Sequence, residues 1–171
     1  MGRKRIRTFD TFTAALASFE TKDRDLFSWT RNRTALTHAL ALRLKETLTA
    51  QGSDLDVDMG AFISRSQKVV NPDILVHDRK EKRVLALVCR SEYLKEEEQE
   101  ALVGLQQTAK CELVMAISFL PQKRYCLLYR VADGKIEYHH FDRNTLTSSI
   151  IRISGKEDED SKDQLSFGKM R

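Results

Sequence analysis

The sequence predicts an α/β domain in which helices flank a mixed central sheet, and three observations carry that prediction. Residues 71–90 run Asn71-Pro72-Asp73-Ile74-Leu75-Val76-His77, then a charged stretch, then Val84-Leu85-Ala86-Leu87-Val88-Cys89-Arg90. Two apolar runs about a polar turn mark a hairpin. Residues 92–109 then place Leu94, Ala101, Leu102, Leu105 and Ala109 on one stripe of a helix long enough for a parallel crossover. Beyond it, strand-like runs follow at 112–119, 125–131 and 135–141, with Asp133-Gly134 closing the last two as a tight hairpin.

At 171 residues, 41% hydrophobic and 32% charged, the chain has the size and composition of one globular domain. Residues 1–8 carry four basic side chains and little to bury, so a flexible basic arm is expected there. The single domain should run from 9 to 154, and residues 155–171, mixed in charge and without periodicity, should form a disordered charged tail.

In order, Asp10 is the expected cap of a first short helix, whose stripe is Phe12, Ala15, Leu16 and Phe19. Phe27 and Trp29 follow in a connection and are expected as core anchors rather than base-stacking platforms. A longer helix spans 31–50, with Leu36, Ala39, Leu40, Leu44 and Leu48 on its buried face and Gly52 as its stop. His38 beside that stripe has no second histidine at helical spacing, so it reads as a structural side chain. Asp54, Asp56 and Asp58 alternate with Leu55 and Val57, as in a half-exposed strand. A basic loop with Arg65 and Lys68 leads into the central hairpin, where Pro72, lacking an N–H, suits a strand start.

Several classes are excluded or left open by composition. No apolar run approaches the ~18 residues of a membrane span, and no secretory h-region is visible, so a cytoplasmic protein without a membrane partner is expected. Cys89, Cys111 and Cys126 are odd in number and lack paired spacing, which argues for buried thiols rather than disulfides or zinc. The net charge of +4 is compatible with a nucleic-acid partner without identifying one.

The chemistry-bearing residues cluster at one end of the hairpin. With its turn near Glu81, Asp73 falls opposite Val88 to Arg90. Strand alternation puts Val88 and Arg90 on one face and Cys89 on the other. Asp73 and Arg90 are therefore expected within ion-pair distance, about 4 Å.

The Pro72-Asp73 strand, the Leu85-to-Arg90 strand, the amphipathic helix behind them and the long helix ahead resemble the PD-(D/E)XK, or restriction-endonuclease-like, superfamily over roughly residues 31–141. The resemblance implies an αβββαβ core and a phosphodiesterase site in which carboxylates hold Mg²⁺ or Mn²⁺ and a lysine positions the attacking water. Carried over by position, Asp73 matches the first acid, Val88 stands at the second and Arg90 at the lysine. Many relatives add a glutamate early in the first helix, where this chain has Asn32 and Arg33. Valine cannot ligate a metal. Arginine, with a pKa above about 12, cannot act as a base, although it can clamp a phosphate.

The candidates implied are thus Asp73, Arg90 and a relocated Glu92 for catalysis. Asp73 with Asp58, or Glu46, would hold metal, and Arg65, Lys68 and Arg90 would contact nucleic acid. The expected function is that of a catalytically degenerate nuclease homologue that retains a capacity to bind nucleic acid, with DNA the possible partner, and needs no cofactor. Two alternatives stay open: an active Mg²⁺- or Mn²⁺-dependent DNA nuclease using a relocated acid, and a protein-interaction module without DNA binding. The oligomeric state is also open, a homodimer included.

Overall fold

The computed structural model describes residues 7–61 and 70–154. Arg65, Lys68, most of the expected basic arm and the whole expected charged tail lie outside the described residues.

Helix α1, Thr8–Lys22, begins ahead of the expected cap. Arg7 holds the N-cap, and Asp10 sits in the first turn, where the helix dipole favours its charge. A short 3₁₀ helix, Arg24–Ser28, leads to α2, Arg33–Ala50. Helix α2 starts two residues later than expected because Arg31 takes a left-handed backbone conformation, φ 54°. The next elements are β1 (Asp56–Met59), β2 (Ile74–His77) and β3 (Arg83–Arg90). Helix α3 (Glu96–Ala109) follows, and then β4 (Cys111–Ser118), β5 (Tyr125–Ala132), β6 (Lys135–Asp142) and β7 (Thr147–Ile153).

The seven strands form one mixed sheet in sequence order, β1 to β7. Strands β3 and β4 run parallel across the α3 crossover, and the other neighbours run antiparallel. The expected hairpin is present, with Ile74 opposite Leu87 and Val76 opposite Leu85. Those four side chains are at most 2% exposed, as suits strands covered on both faces.

Two apolar layers hold the helices. Helices α1 and α2 pack Phe12, Leu16, Phe19, Leu40 and Leu44 against Ile74, Leu85, Leu87, Cys89 and Ile117. On the opposite face α3 packs Leu102, Leu105 and Ala109 against Ala86, Val88, Val114 and Ala116. Val88 and Cys89 thus face opposite layers, as alternation requires. The three cysteines are buried and free, and burial pushes the Cys89 and Cys126 thiols well above their ordinary value.

Helix α3 starts at Glu96, leaving Glu92 in the preceding loop. Long-range contacts draw that loop away from helical geometry: Leu94 N–H donates to Tyr129 Oη at 2.9 Å, and Ser118 Oγ donates to the Glu92 carbonyl at 2.7 Å. Strand β7 is a further departure, since no strand was expected after 141. Among the described residues no helix is long and apolar enough to cross a membrane.

Candidate functional site

Strand direction collects the candidate residues at one end of the sheet. Asp73 precedes β2, Arg90 ends β3, Ser118 ends the parallel β4 in register with Arg90, and Tyr125 opens β5 opposite Asp142. The first turn of α2 lies over this end, where Arg33 Nη1 donates to the Cys89 carbonyl at 3.4 Å.

Asp73 is the hub. Its Oδ2 accepts from the Cys89 backbone N–H at 2.7 Å and from Arg90 Nη1 at 3.2 Å. Its Oδ1 lies 3.7 Å from Arg33 Nη1. The expected Asp73–Arg90 pair is therefore formed, and a second guanidinium stands on the other carboxylate oxygen. Arg90 is fixed further by the Cys89 carbonyl at 2.9 Å and by Glu98 of α3, 3.4 Å from Nε. The pair is partly open to solvent, with side-chain exposures of 27% for Asp73, 29% for Arg90 and 48% for Arg33.

The donor set does not fit the divalent ion that the family resemblance implies. Oδ2 already takes two donors, Val88 is apolar and 2% exposed, and both arginines repel a cation. Among the described residues no group of three or more His, Cys, Asp and Glu side chains is placed to hold a metal ion.

The other acids named from sequence are committed elsewhere. Asp58 meets His77 Nε2 at 2.7 Å and Arg79 at 3.4 Å, in an edge cluster that also joins Arg79 to Asp56. Glu46 pairs with Arg43, which also holds Asp23. It sits thirteen residues along α2 from Arg33, about 20 Å at 1.5 Å per residue. Glu92 is exposed, and the hydrogen bond at this residue uses its backbone carbonyl. Two members of the site, Arg33 and Glu98, were not singled out as site residues from sequence. Only the position of Arg33, where the family resemblance implies a glutamate, signalled it.

A second constellation stands at the same end of the sheet. Glu20 at the close of α1 is buried, and its Oε1 accepts from Arg143 Nε at 3.1 Å. The Arg143 guanidinium also donates to the carbonyls of Leu120, Phe119 and Lys123, and it lies 4.2 Å over the Phe27 ring. Above this pair opens a cavity of about 510 Å³ whose lining includes Arg24, Lys123, Arg124 and Asn144. Trp29 corrects the expectation from sequence: Phe27 packs against the core, but Trp29 is 60% exposed.

No family model, no curated protein and no solved structure matches this chain.

Proposed function

We propose that the chain is a catalytically silent restriction-endonuclease-like domain that binds nucleic acid by its phosphates at the Arg33–Arg90 end of the sheet. The observation that carries this reading is the pair of guanidiniums closed on Asp73, 3.2 Å and 3.7 Å away. A helical glutamate, an aspartate, a second acid and a lysine would together carry about −2, which a divalent ion balances. Here the same positions hold Arg33, Asp73, Val88 and Arg90, a formal sum of +1 that Glu98, beside Arg90, brings to zero. Such a site is stable without a cation, and an exposed guanidinium in it suits a phosphate oxygen. Glu98 restrains Arg90, so Arg33, the more exposed of the two, is the more available to a ligand. The order of elements from Arg33 to Ser118 supports the same assignment: helix, three antiparallel strands, helix, then a strand parallel to the third.

The test is fluorescence anisotropy with labelled DNA in EDTA across a salt series. Binding should weaken steeply with salt, as counterion release demands, and Arg33→Glu should reduce it at least tenfold while the DNA is recovered intact. Binding that requires Mg²⁺ or Mn²⁺, or that ignores Arg33→Glu, would refute the assignment.

A further inference from the structure

We infer that the ligand of this end is single-stranded nucleic acid, with one base stacked on Trp29 and a second phosphate anchor at the cavity edged by Arg24, Lys123 and Arg124. The inference rests on the nucleic-acid reading above and goes on to specify strandedness, a stacking platform and a path.

The path follows from the sheet. Arg90 ends β3, and β5 begins just past Lys123 and Arg124, two strand positions away. That separation is about 10 Å at 4.7–4.9 Å per strand. A separation of this size is short enough for one continuous single strand to place phosphates at both cationic points. Backbone bonds lock the loops side by side: Phe119 N–H to the Arg90 carbonyl at 2.8 Å and Leu120 N–H to the Ser91 carbonyl at 2.9 Å. Arg24 is drawn to the cavity by its 3.4 Å contact with the Arg143 carbonyl. Arg143 itself is committed to Glu20 and to three carbonyls, so it forms the floor, and the exposed Arg24, Lys123 and Arg124 are the cations offered to a ligand.

Trp29 lies between the two anchors along the chain, after Arg24 and before Arg31 and Arg33. Its outward placement is built in. Asn32 Nδ2 donates to the carbonyls of Leu26 and Phe27 at 3.0 and 3.3 Å, and Phe27 fills the core position under Arg143. The connection is therefore held while its indole stands in solvent. A large exposed aromatic ring flanked by arginines in the chain suits stacking of an unpaired base, since every base offers a π-face. A duplex hides those faces and would use the cations alone.

Trp29 is the only tryptophan in the sequence, so its own fluorescence reports the contact. The experiment titrates oligo(dT) and a duplex of equal length into the full chain, reading both intrinsic fluorescence and anisotropy. The inference expects preference for the single strand, quenching of Trp29, and a loss of roughly tenfold or more in affinity for Trp29→Ala. Lys123→Ala with Arg124→Ala should flatten the salt dependence by about 1.4 in log–log slope, at ~0.7 per phosphate contact. Equal affinity for duplex, with no quenching and no effect of Trp29→Ala, would overturn this inference and leave the nucleic-acid reading standing. No binding to either probe at low salt would remove both. The quenching arm needs no variant, so a Trp29→Ala protein that failed to fold would still leave a decisive result.

Discussion

Truncating Asp73 is the sharpest perturbation of the site, because the carboxylate both ends a strand and satisfies two guanidiniums. Asp73→Ala removes a charge-assisted acceptor from the Cys89 N–H, a 2.7 Å bond worth roughly 1.5–3 kcal/mol. The two arginine contacts are partly solvated and are discounted to about 0.5 kcal/mol or less each. The sum is roughly 1.5–4 kcal/mol. In a domain of this size each kcal/mol moves Tm by roughly 2–4 °C, so Asp73→Ala should melt roughly 3–16 °C below the parent. Asp73→Asn keeps an oxygen for the Cys89 N–H and loses only the charge, so its loss should be near 1 kcal/mol, or roughly 3 °C. The assay is differential scanning fluorimetry of all three proteins with and without Mn²⁺. A metal ion held at 100 times its Kd would stabilise the parent by about 2.7 kcal/mol, as large a shift as the truncation itself. The expected result is an unchanged parent Tm. Mn²⁺ stabilisation of the parent that disappears in Asp73→Asn would refute the reasoning, because Asp73 would then hold a cation.

Arg143→Met should cost roughly 3–5 kcal/mol by chemical denaturation, since it strands the buried Glu20 carboxylate, whose Oε2 already lacks a partner among the described residues. A loss below about 1 kcal/mol would show that the pair is not structural. Burial lowers the pKa of both His139 and His140 from the ordinary value near 6.5. Their contribution is therefore complete above about pH 6.5 and is lost as pH falls below it, because the unfolded chain binds protons first. The urea midpoint should fall between pH 7.5 and pH 5, and His140→Asn should reduce that fall. A flat midpoint over this window would contradict the assignment.

The central hairpin and the crossover helix were legible because their signals are local and long. Ile74 to Val76 and Val84 to Cys89 are continuous apolar runs, and α3 keeps its stripe to Ala109. The Asp73–Arg90 contact was legible because hairpin register and side-chain alternation fix it. What escaped depends on distant partners. Strand β7 reads Thr-Ser-Ser-Ile-Ile-Arg-Ile, with no clean alternation, and is ordered by pairing with β6. The start of α3 was misread because acids suit a helix N-terminus, whereas Leu94 is drawn off by Tyr129, 35 residues away. Arg33 reaches Asp73 only once α2 lies across the sheet, and Glu20 meets Arg143 across 123 residues. Trp29 faces solvent because Asn32 holds the connection and Phe27 takes the buried place, neither of which local pattern reveals.

Two arginines stand on Asp73, and the proposed consequence is a site that binds nucleic acid without cutting it. Its most direct test incubates the full chain with supercoiled plasmid and with single-stranded circular DNA, in Mg²⁺ and separately in Mn²⁺. Binding is followed by gel shift, and integrity by electrophoresis after the protein is removed. The expected result is retarded complexes that release intact DNA at every metal concentration, with the shift reduced by Arg33→Glu. Metal-dependent linear or nicked product that vanishes in Asp73→Asn would contradict it.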